Sequence, residues 1–202
     1  MRSLSSVSRS MASPGTGRGG YTGRGARSSG IRTGPGECGL RGLVLAGFMG
    51  VGKSTVGAIL AARRAVPFVD TDAVLVERFG PIADQFANEG EPIFREREAT
   101  VVHELCAGPP AVLATGGGVW PDADLRRALR AWGHGVVLHA ERHTLASRLA
   151  GDASRPLAAR AERLLDQRAW AYQQGDAAFR VDGVSPAQVA DRIEQWWRER
   201  ES

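Results

Sequence analysis

Lysine, cysteine and long apolar runs are all scarce in this chain of 202 residues, and each shortage excludes something. Two cysteines, Cys38 and Cys106, cannot build the disulfide framework of a small secreted domain, so a reducing compartment is expected. No stretch approaches the roughly 18 consecutive apolar residues of a membrane-spanning helix, so no membrane partner is expected. With 43% hydrophobic and 24% charged residues the composition is that of a globular protein. The length suits one ordinary domain, because single cores run to about 100–200 residues. Lysine is the most telling shortage: of 26 basic residues only Lys53 is a lysine, which implies a task there that a planar guanidinium does not perform.

The formal charge of +4 hides an uneven distribution. Residues 1–41 carry seven Arg against Glu37 alone, or +6, while the other 161 residues hold 19 basic and 21 acidic side chains, or −2. The globular part is therefore no basic surface, and nucleic acid is not an expected partner. Residues 1–40 are rich in Ser, Gly and Arg and lack periodic apolar positions. Such a segment buries too little surface to offset its ordering entropy, and it is expected to be a disordered tail ahead of a domain spanning 41–202. Being also poor in acid, it has the composition of an organellar transit peptide, although a misassigned start or a dispensable tail fits as well; the cytoplasm is expected, or an organelle if the tail is an address.

From Leu43 onward five short apolar runs, at Leu43–Phe48, Phe68–Val69, Ala111–Thr115, Val136–His139 and Phe179–Val181, alternate with helical patterns such as Ser54–Arg64 and Leu125–Trp132. Strands alternating with helices imply right-handed crossovers, hence an α/β fold with a doubly wound, three-layer sheet of five parallel strands. The near-continuous apolarity of LVLAGF and AVLAT fits strands covered on both faces.

Gly47-Phe48-Met49-Gly50-Val51-Gly52-Lys53-Ser54 reads G-x-x-x-x-G-K-S between the first strand and the first helical pattern. Glycines let a backbone wrap closely enough to aim N–H groups at phosphate oxygens, and the following helix adds its positive N-terminus. Lys53 then supplies a compact ammonium for the β- and γ-phosphates, and the Ser54 hydroxyl is placed for Mg²⁺.

Four weaker motifs follow where an acceptor would meet the γ-phosphate, and each has a plainer reading. Asp70-Thr71-Asp72 ends the second strand, where a period of two puts both carboxylates on one side; it also reads as a helix cap. In Phe94-Arg95-Glu96-Arg97-Glu98, on a helix starting near Glu91, Arg95 is a candidate carboxylate clamp oriented by Glu98, with Phe86 and Phe94 as an apolar wall. Glu91 and Arg95 also form an i,i+4 pair of the kind that supports any exposed helix. Gly116-Gly117-Gly118 permits close approach to a ligand or a simple turn. Arg155-Pro156-Leu157 suits a mobile lid or a linker, and Arg168 lies on a helix.

In this order, GFMGVGKS, DTD, FRERE, ATGGG, RPL and Arg168 with Tyr172 four residues on resemble the motif series of the shikimate kinases, small P-loop kinases related in fold to nucleoside monophosphate kinases. The resemblance runs from Leu43 to Arg198 and implies transfer of the γ-phosphoryl group of ATP to the 3-hydroxyl of shikimate, within aromatic amino-acid biosynthesis; a monomer is expected. It implies an ATP site of Gly47, Gly50, Val51, Gly52, Lys53, Ser54 and Thr55, with Arg148 and Pro186 on either side of the adenine and Arg155 swinging from the lid onto the phosphates. Ser54 and, through water, Asp70 would hold Mg²⁺; Lys53, Asp72 and Arg155 would be catalytic, with Asp72 as the base. Arg95 and Arg168 would pair with the acceptor carboxylate, and Gly116, Gly117 (through its N–H) and Gly118 would complete the cradle.

The chain departs from that pattern in two places. Only twelve residues separate Arg155 from Arg168, fewer than the family's usual lid and following helix, which implies faster idle ATP hydrolysis in the absence of acceptor. The proline expected soon after the second carboxylate-binding arginine is missing from Arg168-Ala169-Trp170-Ala171-Tyr172, where Trp170 is placed to fill the space. Three other readings compete: a gluconate- or nucleotide-kinase-like enzyme, a nucleotide-binding regulatory module without kinase activity, and nucleic-acid binding through the Arg-rich tail, which would show as steep salt dependence. The DTD, FRERE and GGG set argues against the first, and the presence of Asp72, Arg95 and Arg168 against the second.

Overall fold

A computed structural model describes residues 41–149 and 161–201. The tail and Arg155-Pro156-Leu157, with the expectations attached to them, lie outside the described residues. The five predicted strands are β1 (Gly42–Gly47), β2 (Phe68–Asp70), β3 (Val112–Ala114), β4 (Gly133–His139) and β5 (Ala177–Arg180). They form one all-parallel sheet in the order β2-β3-β1-β4-β5. The helices are α1 (Lys53–Arg64), α2 (Thr71–Phe79), α3 (Ile82–Cys106), α4 (Ala123–Trp132), α5 (Arg142–Leu149), α6 (Ala161–Tyr172) and α7 (Pro186–Glu201). None of them is long and apolar enough to cross a membrane.

The alternation of β1 shows why the sheet needs two helical layers. Leu43 and Leu45 join a cluster with Val56, Leu60, Ile193 and Trp197 of α1 and α7. Val44 and Ala46, pointing the other way, pack with Val102, Leu125 and Leu129 of α3 and α4. Every residue of β1 is buried, as a central strand between two apolar layers requires. The chain leaves β1 toward the β2 edge and later passes over β1 from β3 to β4, so the strand order reverses beside β1. Ligands of open α/β sheets bind outside the carboxyl ends of the strands at such a reversal.

Two local features bear on the site. Gly90, with φ 83° and ψ 171°, interrupts α3, and Pro92 opens its second half, which is why the sequence period reads as a helix beginning near Glu91. The Asp70-Thr71-Asp72 run corrects the strand-period expectation: β2 stops at Asp70, Thr71 opens α2, and the Asp70 side chain accepts from the Asp72 N–H as a helix cap. The two carboxylates therefore sit on different elements, because an aspartate at a strand-to-helix junction satisfies an orphan amide and ends the two-residue period there.

Tight packing behind β4 yields a stability prediction. A Cβ at Gly135 would lie 2.3 Å from Cη2 of the fully buried Trp120. Gly135→Ala is expected to cost about 1–3 kcal/mol through overpacking, read as a lowered denaturant midpoint at unchanged slope.

Candidate active site

The phosphate loop is built by backbone conformations that side chains disfavour. Gly47, Gly50 and Gly52 have φ values of 139°, 79° and 104°, and a Cβ at Gly47 would also lie 2.4 Å from the Leu138 carbonyl of β4. Gly52 is the N-cap of α1, so the loop delivers a helix N-terminus to the carboxyl edge of the sheet. The Lys53 ammonium donates to the carbonyls of Gly47 at 2.9 Å and Phe48 at 3.0 Å, which holds it on the loop. Ser54 Oγ donates to Asp70 Oδ2 at 2.5 Å, tying the start of α1 to the end of β2.

Beside the loop lies a cavity of about 240 Å³ bordered by Gly50, Val51, Gly52, Thr55, Arg148 and Pro186, with Val181, Val184 and Val189 completing an apolar wall. Arg148, at the end of α5, donates to the carbonyls of Gly50 at 3.2 Å and Val51 at 3.3 Å. The base-site residues expected from the resemblance thus meet around one space although nearly 100 positions separate Gly50 from Arg148.

On the other side, the three glycines after β3 are packed against charged groups. A Cβ at Gly116 would lie 2.5 Å from Asp72 Oδ1 and 2.7 Å from Glu98 Oε1, and one at Gly118 would lie 2.1 Å from Arg95 Nη1. Glu98, 2% exposed, accepts from Arg95 Nη1 at 2.7 Å, while Glu91 accepts from Arg95 Nη2 at 3.0 Å. Burial pushes the Glu98 carboxyl up, with the nearby Asp72 charge adding to it, and the Arg95 and Arg168 charges only partly pull it back. Burial alone would lower Arg95, but the charge and hydrogen bond of Glu98, joined by Glu91, outweigh it and hold the guanidinium charged. The Phe86 and Phe94 rings pack at 4.6 Å between centroids, and the Arg95 guanidinium carbon lies 5.3 Å from the Phe94 ring centre. Arg168 Nη1 donates to the Gly117 carbonyl at 3.0 Å, and Tyr172 Oη donates to the same oxygen at 3.2 Å. Two cationic forks and two carboxylates thereby converge on one glycine segment at the end of the strand beside β1.

The family model for shikimate kinase matches residues 49–198. The chain belongs to the shikimate kinase family. It is 47% identical over 119 residues to shikimate kinase of Pseudomonas syringae pv. syringae (strain B728a), covering 58% of this chain and 69% of that one. With the shikimate kinase of Paramagnetospirillum magneticum (strain ATCC 700264 / AMB-1) it shares 42% identity over 160 residues, covering 76% and 82% of the two chains. A solved shikimate kinase from Acinetobacter baumannii, in complex with shikimate, superposes with a TM-score of 0.76 at 31% identity, covering 80% of this chain and 94% of that one.

Within this shikimate kinase fold the two faces of FRERE have distinct duties. Arg95 and Glu98 face Gly118 and Gly116, and Arg97 instead lies over the Phe79 ring at 4.4 Å. The Glu91–Arg95 pair exists as well, so Arg95 supports its own helix while it faces Gly118. Gly117 enters through its carbonyl, held by Arg168 and Tyr172, where the expectation concerned its N–H. The expected place of Trp170 is corrected: it is 49% exposed, with the Arg126 guanidinium carbon 5.1 Å from its ring centre, because neighbouring positions on a helix point in different directions. Sequence reasoning missed Thr71, which is fully buried and accepts at Oγ1 from the Gly116 N–H at 2.8 Å, locking DTD to the glycine segment. A threonine between two aspartates carries no signal for that bond, since its partner lies 45 positions away.

The Gly118 contact gives a direct test of Arg95 as a candidate clamp. In Gly118→Ala the new methyl group meets the far end of a flexible side chain, so Arg95 moves while the fold stays. The KM for shikimate is expected to rise about tenfold, with the thermal midpoint little changed, as the guanidinium loses its charge-assisted geometry.

Proposed function

We propose that this chain transfers the γ-phosphoryl group of ATP to the 3-hydroxyl of shikimate, giving shikimate 3-phosphate and ADP. The observation that carries this reading is the convergence of Arg95, Arg168 and Asp72 on Gly116–Gly118, beside the phosphate loop. An anionic polyol needs a cationic clamp, a hydroxyl acceptor and an apolar floor, and Arg95 with Arg168, Asp72, and Phe86 with Phe94 supply them.

In this reading Arg95 and Arg168 bind the acceptor carboxylate, and Gly116, Gly117 and Gly118 let the ring approach the backbone. Asp72 orients the 3-hydroxyl and takes its proton as the oxygen attacks the γ-phosphorus and the bridging oxygen leaves with ADP. Lys53, with the amides at the start of α1, neutralises charge on the phosphates, and Arg155 adds to this from outside the described residues. Arg148 and Pro186 hold the adenine between them. The donor set, Ser54 Oγ directly and Asp70 Oδ2 through water, is hard oxygen and leaves positions for further water and phosphate oxygens, which suits Mg²⁺. Bound there, Mg²⁺ would neutralise charge on the β- and γ-phosphates. Phosphoryl transfer asks for positioning and neutralisation more than covalent chemistry, and the residues gathered here serve those two ends.

A coupled assay for ADP with ATP, Mg²⁺ and shikimate tests the reading, with gluconate and nucleoside monophosphates as rival acceptors. Turnover with shikimate alone is expected; preferential turnover of either rival would overturn it.

A further inference from the structure

Helix α6 carries Arg168, and the helix is tied down on two sides. On one side Arg168 and Tyr172, one turn apart, both donate to the Gly117 carbonyl. On the other, the fully buried Trp120 donates from Nε1 to the Ala171 carbonyl at 3.0 Å. Arg126, itself buried, donates to the Trp120 carbonyl at 2.7 Å and sets its guanidinium carbon 5.1 Å from the centre of the Trp170 ring. These ties span the stretch Ala169-Trp170-Ala171, which has no proline to stiffen it.

We propose that Tyr172 and the Arg126–Trp170 stack are positioning elements for Arg168, setting where its guanidinium meets the acceptor carboxylate. This rests on the assignment of Arg168 to that carboxylate. Gly117 has no side chain of its own to anchor it, so bonds from outside determine where its carbonyl sits. A carbonyl oxygen offers two lone pairs, and Tyr172 takes one while Arg168 takes the other, so the hydroxyl fixes the register at which one guanidinium N–H is spent. The remaining donors of the fork stay aimed by that bond. Burial pushes the Tyr172 hydroxyl up to about 12, so it remains a donor throughout the neutral range. Trp170 is half-exposed, and its stack with Arg126 restrains rotation of α6 from behind.

Steady-state kinetics on Tyr172→Phe, Trp170→Ala, Arg168→Ala and the Tyr172→Phe/Arg168→Ala double variant separate the possibilities. Tyr172→Phe is expected to raise the KM for shikimate about three- to tenfold, the loss of one hydrogen bond, while the KM for ATP stays within about twofold. Trp170→Ala, an exposed change that keeps the fold, is expected to raise the same KM about two- to fivefold. In the double variant Tyr172→Phe should add nothing to Arg168→Ala, because its effect passes through that arginine. An unchanged shikimate KM in both Tyr172→Phe and Trp170→Ala overturns the inference, as does full additivity in the double variant. If Arg168→Ala itself leaves the shikimate KM unmoved, the carboxylate assignment fails instead.

Discussion

Asp72→Asn is expected to lower kcat by about 10²–10⁴, with a far smaller change in the KM for shikimate. Asparagine preserves the shape and the first-turn position in α2, and Asp70 still caps the helix through the residue 72 N–H. What disappears is the ability to accept a proton and the negative charge facing Gly116. Binding of a polyol tolerates that exchange, since an amide oxygen also accepts hydrogen bonds. Under the proposed role of Asp72 transfer does not, because the proton of the attacking hydroxyl then loses its acceptor. Steady-state and single-turnover measurements check this together, and near-normal single-turnover rates would remove Asp72 from the role of base.

The second large effect is expected at the solitary lysine. Lys53→Arg keeps the charge, yet it should reduce kcat/KM for ATP by about 10²–10³, nearly as much as Lys53→Met. The ammonium lies between the Gly47 and Phe48 carbonyls at 2.9 and 3.0 Å, a space shaped by three glycines with positive φ. A planar fork is bulkier, places its charge further from the backbone and cannot shift as a point charge onto β- and γ-phosphate oxygens. Retention of more than about a tenth of the activity in Lys53→Arg would show that charge alone suffices. It would also strip meaning from a composition in which this one basic position is lysine.

The strand and helix pattern was readable because burial on both faces leaves near-continuous apolar runs, as in Leu43 to Ala46, and those runs do not depend on distant partners. The phosphate loop was readable for a similar reason: its glycines, lysine and serine are local, and a strand and a helix flank them. Asp72 does not lie where a continued strand would put it. A two-residue period assumes the strand continues, whereas the Asp70 cap turns the chain into α2 at once. The outward place of Trp170 is not legible in the sequence, because the line of residues says little about which way a helix is rotated.

By itself the sequence determined the layer architecture, the anion-binding loop and the residue types available for an acceptor, since each follows from local periodicity or from backbone freedom at particular glycines. Only the tertiary structure decided that Arg95 rests on Gly118, that Asp72 and Glu98 share Gly116, and that Arg168 and Tyr172 meet on the Gly117 carbonyl. Those pairings join positions 18 to 55 residues apart. They arise because parallel strands bring the carboxyl ends of β1, β2 and β3 to one edge, where helix rotation sets which side chains arrive.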